Sequence, residues 1–162
     1  MNKLKRQELT QEKIKQLLHY NSETGLFIWL ISPRNGGPAA GDVAGKIYIK
    51  INGINYRTCR LAWLYKTGEW PINEVDHKNG ISDDNRWKNL RDVTHSVNLQ
   101  NRQKATRNNK TGLLGVCKHS KNFRATIVIK GKKFNIGTFI TPELAHTAYL
   151  TVKRKVHEGC TI

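Results

Sequence analysis

The stretch VDHKNGISDDNRWKNLRDVTHSVNLQNR, running from Val75 to Arg102, decides how this chain is read. An apolar residue leads into the adjacent pair Asp76-His77, and Asn79-Gly80 is a strong tight-turn signal. Asn89-Leu90-Arg91 follows, and Thr94 is placed to cap a helix that carries Asn98. Two short strands and a helix in this order can bring Asp76, His77 and Asn98 together in space. A carboxylate and an amide oxygen are hard donors, which suit Mg²⁺ better than Zn²⁺. A histidine outside the ligand set is the side chain suited to take a proton from water. The stretch thus predicts a metal and base site. The alternative is a structural Asp-His pair with Asn79, Asn85 and Asn89 serving only as turn formers.

Around this stretch the charge is one-sided. The chain has 28 Lys and Arg against 12 Asp and Glu in 162 residues, a formal +16 that points to a polyanionic partner. More than half of the excess falls after residue 104, where 11 basic residues face only 2 acidic ones. The mean hydropathy is −0.60, and no run approaches the roughly 18 apolar residues of a membrane span. The opening MNKLKRQELTQEKIKQLL is basic and amphipathic without the apolar core of a secretory signal, so a cytoplasmic location is expected. Cys59, Cys117 and Cys160 lie far apart and form no C-x-x-C pair, which argues against a disulfide framework and a cysteine zinc cage.

Upstream, Thr10 can cap a helix with Ile14, Leu17 and Leu18 on one face, and Asn21 to Gly25 reads as a turn. Leu26 to Ile31 reads as a strand, and the Gly/Pro-rich residues from Pro33 to Gly45 as a long loop. Tyr48 to Ile51 and Ile54 to Thr58 flank Asn52-Gly53 and predict a hairpin. Arg60 to Lys66 predicts a helix stopped by Gly68 and Pro71. Lys46, Lys50, Arg57 and Arg60 gather near the hairpin, either as a further DNA contact or as a solvated face. Trp29, Trp63, Trp70 and Trp87 read as core or loop anchors.

Downstream, RQKATRNNK from Arg102 to Lys110 reads as a linker or basic arm. Phe123, Ala125, Ile127 and Ile129 alternate with polar partners, and Gly131 turns the chain into Lys132 to Phe139. Thr141 and Pro142 open a helix whose stripe is Leu144, Ala145, Ala148, Tyr149, Val152 and Val156, ending at Gly159. The fold class expected is α+β, with a small antiparallel sheet covered on one face by this helix.

The DH, NGxxxDN and NLR elements and the downstream Asn98 resemble the ββα-metal (His-Me finger) motif of HNH endonucleases. The variant is the one with Asn as third signature residue, similar to phage intron-encoded homing endonucleases. The resemblance implies that His77 is the general base and that Asp76 and Asn98 hold one divalent metal ion, Mg²⁺ or alternatively Mn²⁺. It implies that Asn89 bonds across the loop to fix the strand orienting His77, and that Arg91 clamps a neighbouring phosphate. Gly115-Val116, FRATI from Phe123, IGTF from Ile136 and PELAHTAY from Pro142 resemble the AP2 DNA-binding domain. That resemblance implies a three-stranded sheet laid in the DNA major groove.

The expected organisation is an N-terminal α/β extension over 1–74, an HNH ββα-metal nuclease motif over 75–103, a basic linker over 104–111 and an AP2-like domain over 112–160. The DNA-binding candidates are Arg102, Lys104, Arg107 and Lys110 in the linker and Lys118, Lys121, Asn122, Arg124, Thr126, Lys130, Lys132, Lys133 and Asn135 in the sheet. Val128 shares the face of Arg124, and only Arg124 and Asn135 have geometry for bidentate base reading. Together these features predict a metal-dependent, site-preferring DNA endonuclease that nicks double-stranded DNA. It would act as a monomer on DNA, with a dimer as the alternative. The competing readings are a catalytically inert DNA-binding regulator and, ranked last, an RNA-directed protein, because the sheet lacks an exposed aromatic pair for stacking bases.

Overall fold

Thr10 accepts a hydrogen bond from the Lys13 amide and so starts the first helix, α1 (Gln11–Leu17). The computed structural model describes residues 9–32 and 37–162. The basic start of the chain and part of the Gly/Pro-rich loop lie outside them. The architecture is α+β, in two compact units that meet in sequence between Thr94 and His95.

In the first unit α1 ends one residue earlier than the apolar spacing suggests. Leu18 is extended, fully buried, and begins β1 (Leu18–Tyr20), which pairs antiparallel with β2 (Phe27–Trp29) through Leu18 and Trp29. Sheet pairing there satisfies the backbone while keeping the side chain in the core, so it wins over helical propensity. The strand expected over Leu26 to Ile31 shortens to these three residues. β3 (Tyr48–Ile51) and β4 (Ile54–Arg57) close on Asn52-Gly53, both at positive φ. Ile49, Ile51 and Tyr56 point inward, while Tyr48, Lys50, Asn55 and Arg57 stay exposed. α2 (Thr58–Thr67) follows and stops at Gly68 in the left-handed conformation.

β5 (Glu74–His77) and β6 (Leu90–Val93) form a separate two-stranded antiparallel ribbon in which Asp76 faces Arg91 and His77 faces Leu90. Asp92 accepts the amides of Ile72 and Asn73, which ties the approach to β5 onto β6. A short 3₁₀ turn over Trp87–Asn89 leads into β6. The buried core of this unit is built from Ile14, Leu18, Phe27, Ile49, Leu61, Leu64 and their neighbours, and Leu90 anchors the ribbon to it. Trp63 and Trp87 meet at a tilt, 5.2 Å between ring centroids, and Tyr56 and Trp70 stack at 5.8 Å, so these half-buried tryptophans pack against other rings of the protein.

The second unit opens with α3 (His95–Gln100), then a three-stranded antiparallel sheet of β7 (Val116–His119), β8 (Asn122–Ile129) and β9 (Lys132–Phe139) in that order. A bulge places Thr126 opposite Asn135 but Ala125 opposite Gly137, leaving Ile136 as the extra residue. α4 (Pro142–Val156), capped by Thr141, covers the face formed by Val116, Ala125 and Ile127. Its inward line is Ala145, Tyr149 and Lys153, four residues apart, whereas Leu144 and Val156 are exposed. Tyr149 lies directly over Gly115, where any Cβ would collide with the ring. Lys153 is buried because its ammonium donates to the carbonyl of Arg102 at 2.5 Å, and burial lowers its pKa. Gln100 also accepts from the Gly159 amide and Asn101 from the Thr161 hydroxyl, so residues 100–102 pack within this unit.

Candidate active site

Asp76 is almost fully buried, at 6% exposure. Its Oδ2 accepts from Arg91 Nε at 2.9 Å and from Nη2 at 2.8 Å. The register dictates this meeting, because directly opposed residues on an antiparallel ribbon project to the same side. His77, the last residue of β5, is also buried, and its Nε2 lies 3.2 Å from Asn85 Oδ1.

The loop from Lys78 to Asn89 is held by side-chain bonds, as an irregular segment must be if its backbone polar groups are to be satisfied. Asn89 Oδ1 accepts the Asn79 amide at 3.0 Å, while Asn89 Nδ2 donates to Asn79 Oδ1 and to the Asp84 carbonyl. Asn89 thus spans the loop from end to end, immediately before the residue that opposes His77. Asp84 accepts from Asn79 Nδ2 at 2.6 Å and from Arg86 Nε and Nη2. The Arg86 guanidinium holds the Asp84 carboxyl down to about 2.

Asn85, part of the NGxxxDN element, reads from the sequence only as a turn former, yet it is among the most buried residues of this region, at 1% exposure. Its Nδ2 donates to the carbonyl of Lys46 at 2.6 Å, and its own carbonyl accepts from the Tyr20 hydroxyl at 2.6 Å. Burial is the main cause that raises the Tyr20 phenol, which stays a donor. Nothing local marks Tyr20 or Lys46 as partners of residue 85. The DN dipeptide was the only available signal.

Asp76, His77, Asn89 and Arg91 therefore all lie on one ribbon and its loop. Asn98 sits on α3 in the second unit, half-buried, and Thr94 alone separates β6 from α3 in sequence. His95 is exposed at the start of that helix. Among the described residues, no group of three or more His, Cys, Asp or Glu could hold a metal ion. A complete protein cage is therefore not what these residues offer. The Asp76 carboxylate is a hard oxygen donor of the kind that suits Mg²⁺, an ion that keeps water in most of its shell.

In the second unit, strand pairing places Arg124, Thr126 and Val128 on one open face with Lys133 and Asn135 opposite them. Cys117 and His119 continue it on β7, opposite Arg124 and Asn122. Arg124 is half-buried and bonded to the His119 ring. Lys118 pairs with Phe123 and Lys132 with Ile129, which puts both on the helix side at the sheet margins, while Lys121 and Lys130 occupy the turns. Arg102, Lys104, Arg107 and Lys110 are all exposed. No helix among the described residues is long and apolar enough to cross a membrane.

Comparison with known proteins agrees with the ribbon. Residues 56–100 match the family model described as HNH endonuclease, and the match stops short of the three-stranded sheet. No curated protein and no solved structure matches the chain. The matched segment holds Asp76, His77, Asn89, Arg91 and Asn98, and it points to a nuclease whose substrate is DNA.

Proposed function

We propose that this chain is a metal-dependent DNA endonuclease that nicks one strand of a duplex at preferred sites, in the manner of a homing-type HNH enzyme. The observation that carries the reading is the buried Asp76-His77 pair at the end of β5, inside the segment that matches the HNH endonuclease model. His77 is the general base that takes the proton of the attacking water. Asp76 and Asn98 would hold the divalent ion, with α3 following β6 after a single residue. When bound, the ion would neutralise charge on the phosphate oxygens and on the departing 3′ oxygen. Asn89 keeps the loop closed behind His77. Arg91, with a planar fork suited to phosphate, becomes available to the substrate if the ion takes over Asp76.

The second unit is proposed to grip DNA as an AP2-like module. A three-stranded antiparallel sheet with one helix-covered face and one open face supports this, as do the Lys and Arg residues around that open face. A β surface of this kind can enter the major groove. Lys118, Lys121, Lys130, Lys132 and Lys133, with Arg102, Lys104, Arg107 and Lys110, would meet phosphates. Asn122, Thr126 and Asn135 lie where base edges would be read, and Arg124 would have to leave His119 to join them.

The test is supercoiled DNA incubated with the native chain and with His77→Ala, each with and without Mg²⁺. Open circles from the native chain only with metal, and none from a variant that binds DNA equally well, support the reading. Binding without cutting by both chains instead favours an inert DNA-binding regulator. The occupation of Asp76 by two Arg91 donors is the observation that lends weight to that second reading.

A further inference from the structure

Asn85 places an acceptor against the His77 ring, and its orientation is dictated by its other bonds. Its Nδ2 donates to the carbonyls of Lys46, at 2.6 Å, and Asp83, at 3.3 Å. A flipped amide would set its oxygen against those two carbonyl oxygens, so the oxygen must face His77. An amide oxygen only accepts. The ring nitrogen 3.2 Å away, Nε2, therefore carries the hydrogen, and in the neutral ring the basic lone pair falls to Nδ1.

We propose that Asn85 is the positioning residue of the nuclease centre, and that the β1–β2 turn and Lys46, which lie outside the family match, are the parts of the fold that hold it. The proposal rests on His77 being the base. Tyr20, on β1, donates its hydroxyl to the Asn85 carbonyl, and the Ser22 carbonyl accepts the Trp87 amide at 2.9 Å. Gly25, at φ 75°, lets the β1–β2 turn close onto the backbone of Asn85 and Arg86, where a Cβ would sit 2.5 Å from Arg86 N. Lys46, at the foot of the β3–β4 hairpin, completes the clamp. Two of the bonds that hold Asn85, to Tyr20 and to Lys46, thus come from more than 30 residues away. The Nε2–H···Oδ1 contact fixes the plane of the imidazole at the end of β5. The amide neither gains nor loses a proton. Its effect is to fix the tautomer and how the ring is turned.

Two measurements on the full chain test this. The first is the ¹⁵N shifts of the His77 ring without metal, at mildly alkaline pH, in the native chain and in Asn85→Ala. A single Nε2–H tautomer in the native chain and a mixture in the variant are expected. The second is turnover on nicked-site DNA against the dissociation constant. Asn85→Ala is expected to lose about 10- to 100-fold in turnover with binding changed less than about twofold. Because Asn85 is buried, Tyr20→Phe serves as a gentler variant, expected to lose several-fold in turnover and to keep its DNA affinity. An unchanged tautomer, or full turnover in a folded Asn85→Ala chain, overturns the positioning role. Failure of the native chain to nick any DNA overturns the nuclease reading instead, and the tautomer measurement reads the Asn85 contact without it.

Discussion

Arg91 gives two guanidinium nitrogens to a single oxygen of Asp76, Oδ2, from the position directly opposite it on the β5–β6 ribbon. Burying a carboxylate is costly unless a cation pairs with it, and Arg91 supplies that pairing. A metal ion bound at Asp76 would do the same work electrostatically. Arg91→Met is therefore expected to lower stability in EDTA by about 3 kcal/mol, since it strands a buried charge. Added Mg²⁺ should restore more of the melting temperature in the variant than it adds to the native chain. Equal Mg²⁺ shifts in both would show that Asp76 is not a ligand. Nicking should fall with the variant in either case if Arg91 clamps phosphate as proposed.

Gly25 is the second place where a small change should reach the site. Alanine there is forced to φ near 75° and its Cβ meets the backbone of Asn85 and Arg86. Left-handed strain in a non-glycine residue costs about 1–3 kcal/mol before any displacement. Gly25→Ala is expected to lower the urea midpoint and to reduce turnover more than DNA affinity. Gly53→Ala has the same kind of φ but open space around its Cβ, so it should cost stability without the loss of turnover.

The loop carries a pH dependence through Asp84. Its carboxyl is lowered from 3.8 to about 2 by Arg86, so the folded state binds its proton less readily than the unfolded chain does. The contribution is fully present above about pH 4 and is lost as the pH falls through about 2. Denaturant titrations at pH 4 and near pH 2 should show a smaller acid loss in Asp84→Asn than in the native chain. Equal losses would mean that the Arg86 pair carries none of the acid sensitivity.

Lys118, Lys121, Lys132 and Lys133 are exposed at the margins and turns of the sheet, and among the described residues their side chains make no hydrogen bond or ion pair. Replacing all four with Gln should leave folding intact and weaken DNA binding. The slope of log affinity against log salt should shrink by about 0.9 for each phosphate contact removed. An unchanged slope would move the grip to the first unit, where Lys50 and Arg57 are exposed on the β3–β4 hairpin. Substitution is the better design than removal of residues 105–162, because Lys153, Gly159 and Thr161 hold residues 100–102 in place.

What could be read in the chain itself was local or periodic. The Asn52-Gly53 turn, the Thr10 and Thr141 caps, the Gly68 stop and the alternation along β8 each depend on a few adjacent residues, and each is where the sequence puts it. The Asp76-His77 and NLR elements were legible for the same reason, since short strands in register set Asp76 against Arg91. Leu18 and Lys153 were not, because the first is claimed by a strand partner and the second by a carbonyl 51 residues away. The same holds for Asn85. Its distant partners are Tyr20 and Lys46, at separations of 65 and 39 residues, and a hydrogen bond between distant residues leaves no spacing pattern to read. Sequence alone determined which residues could do chemistry. The tertiary structure decided how His77 is held, because only folding brings the β1–β2 turn and the foot of the β3–β4 hairpin onto one asparagine.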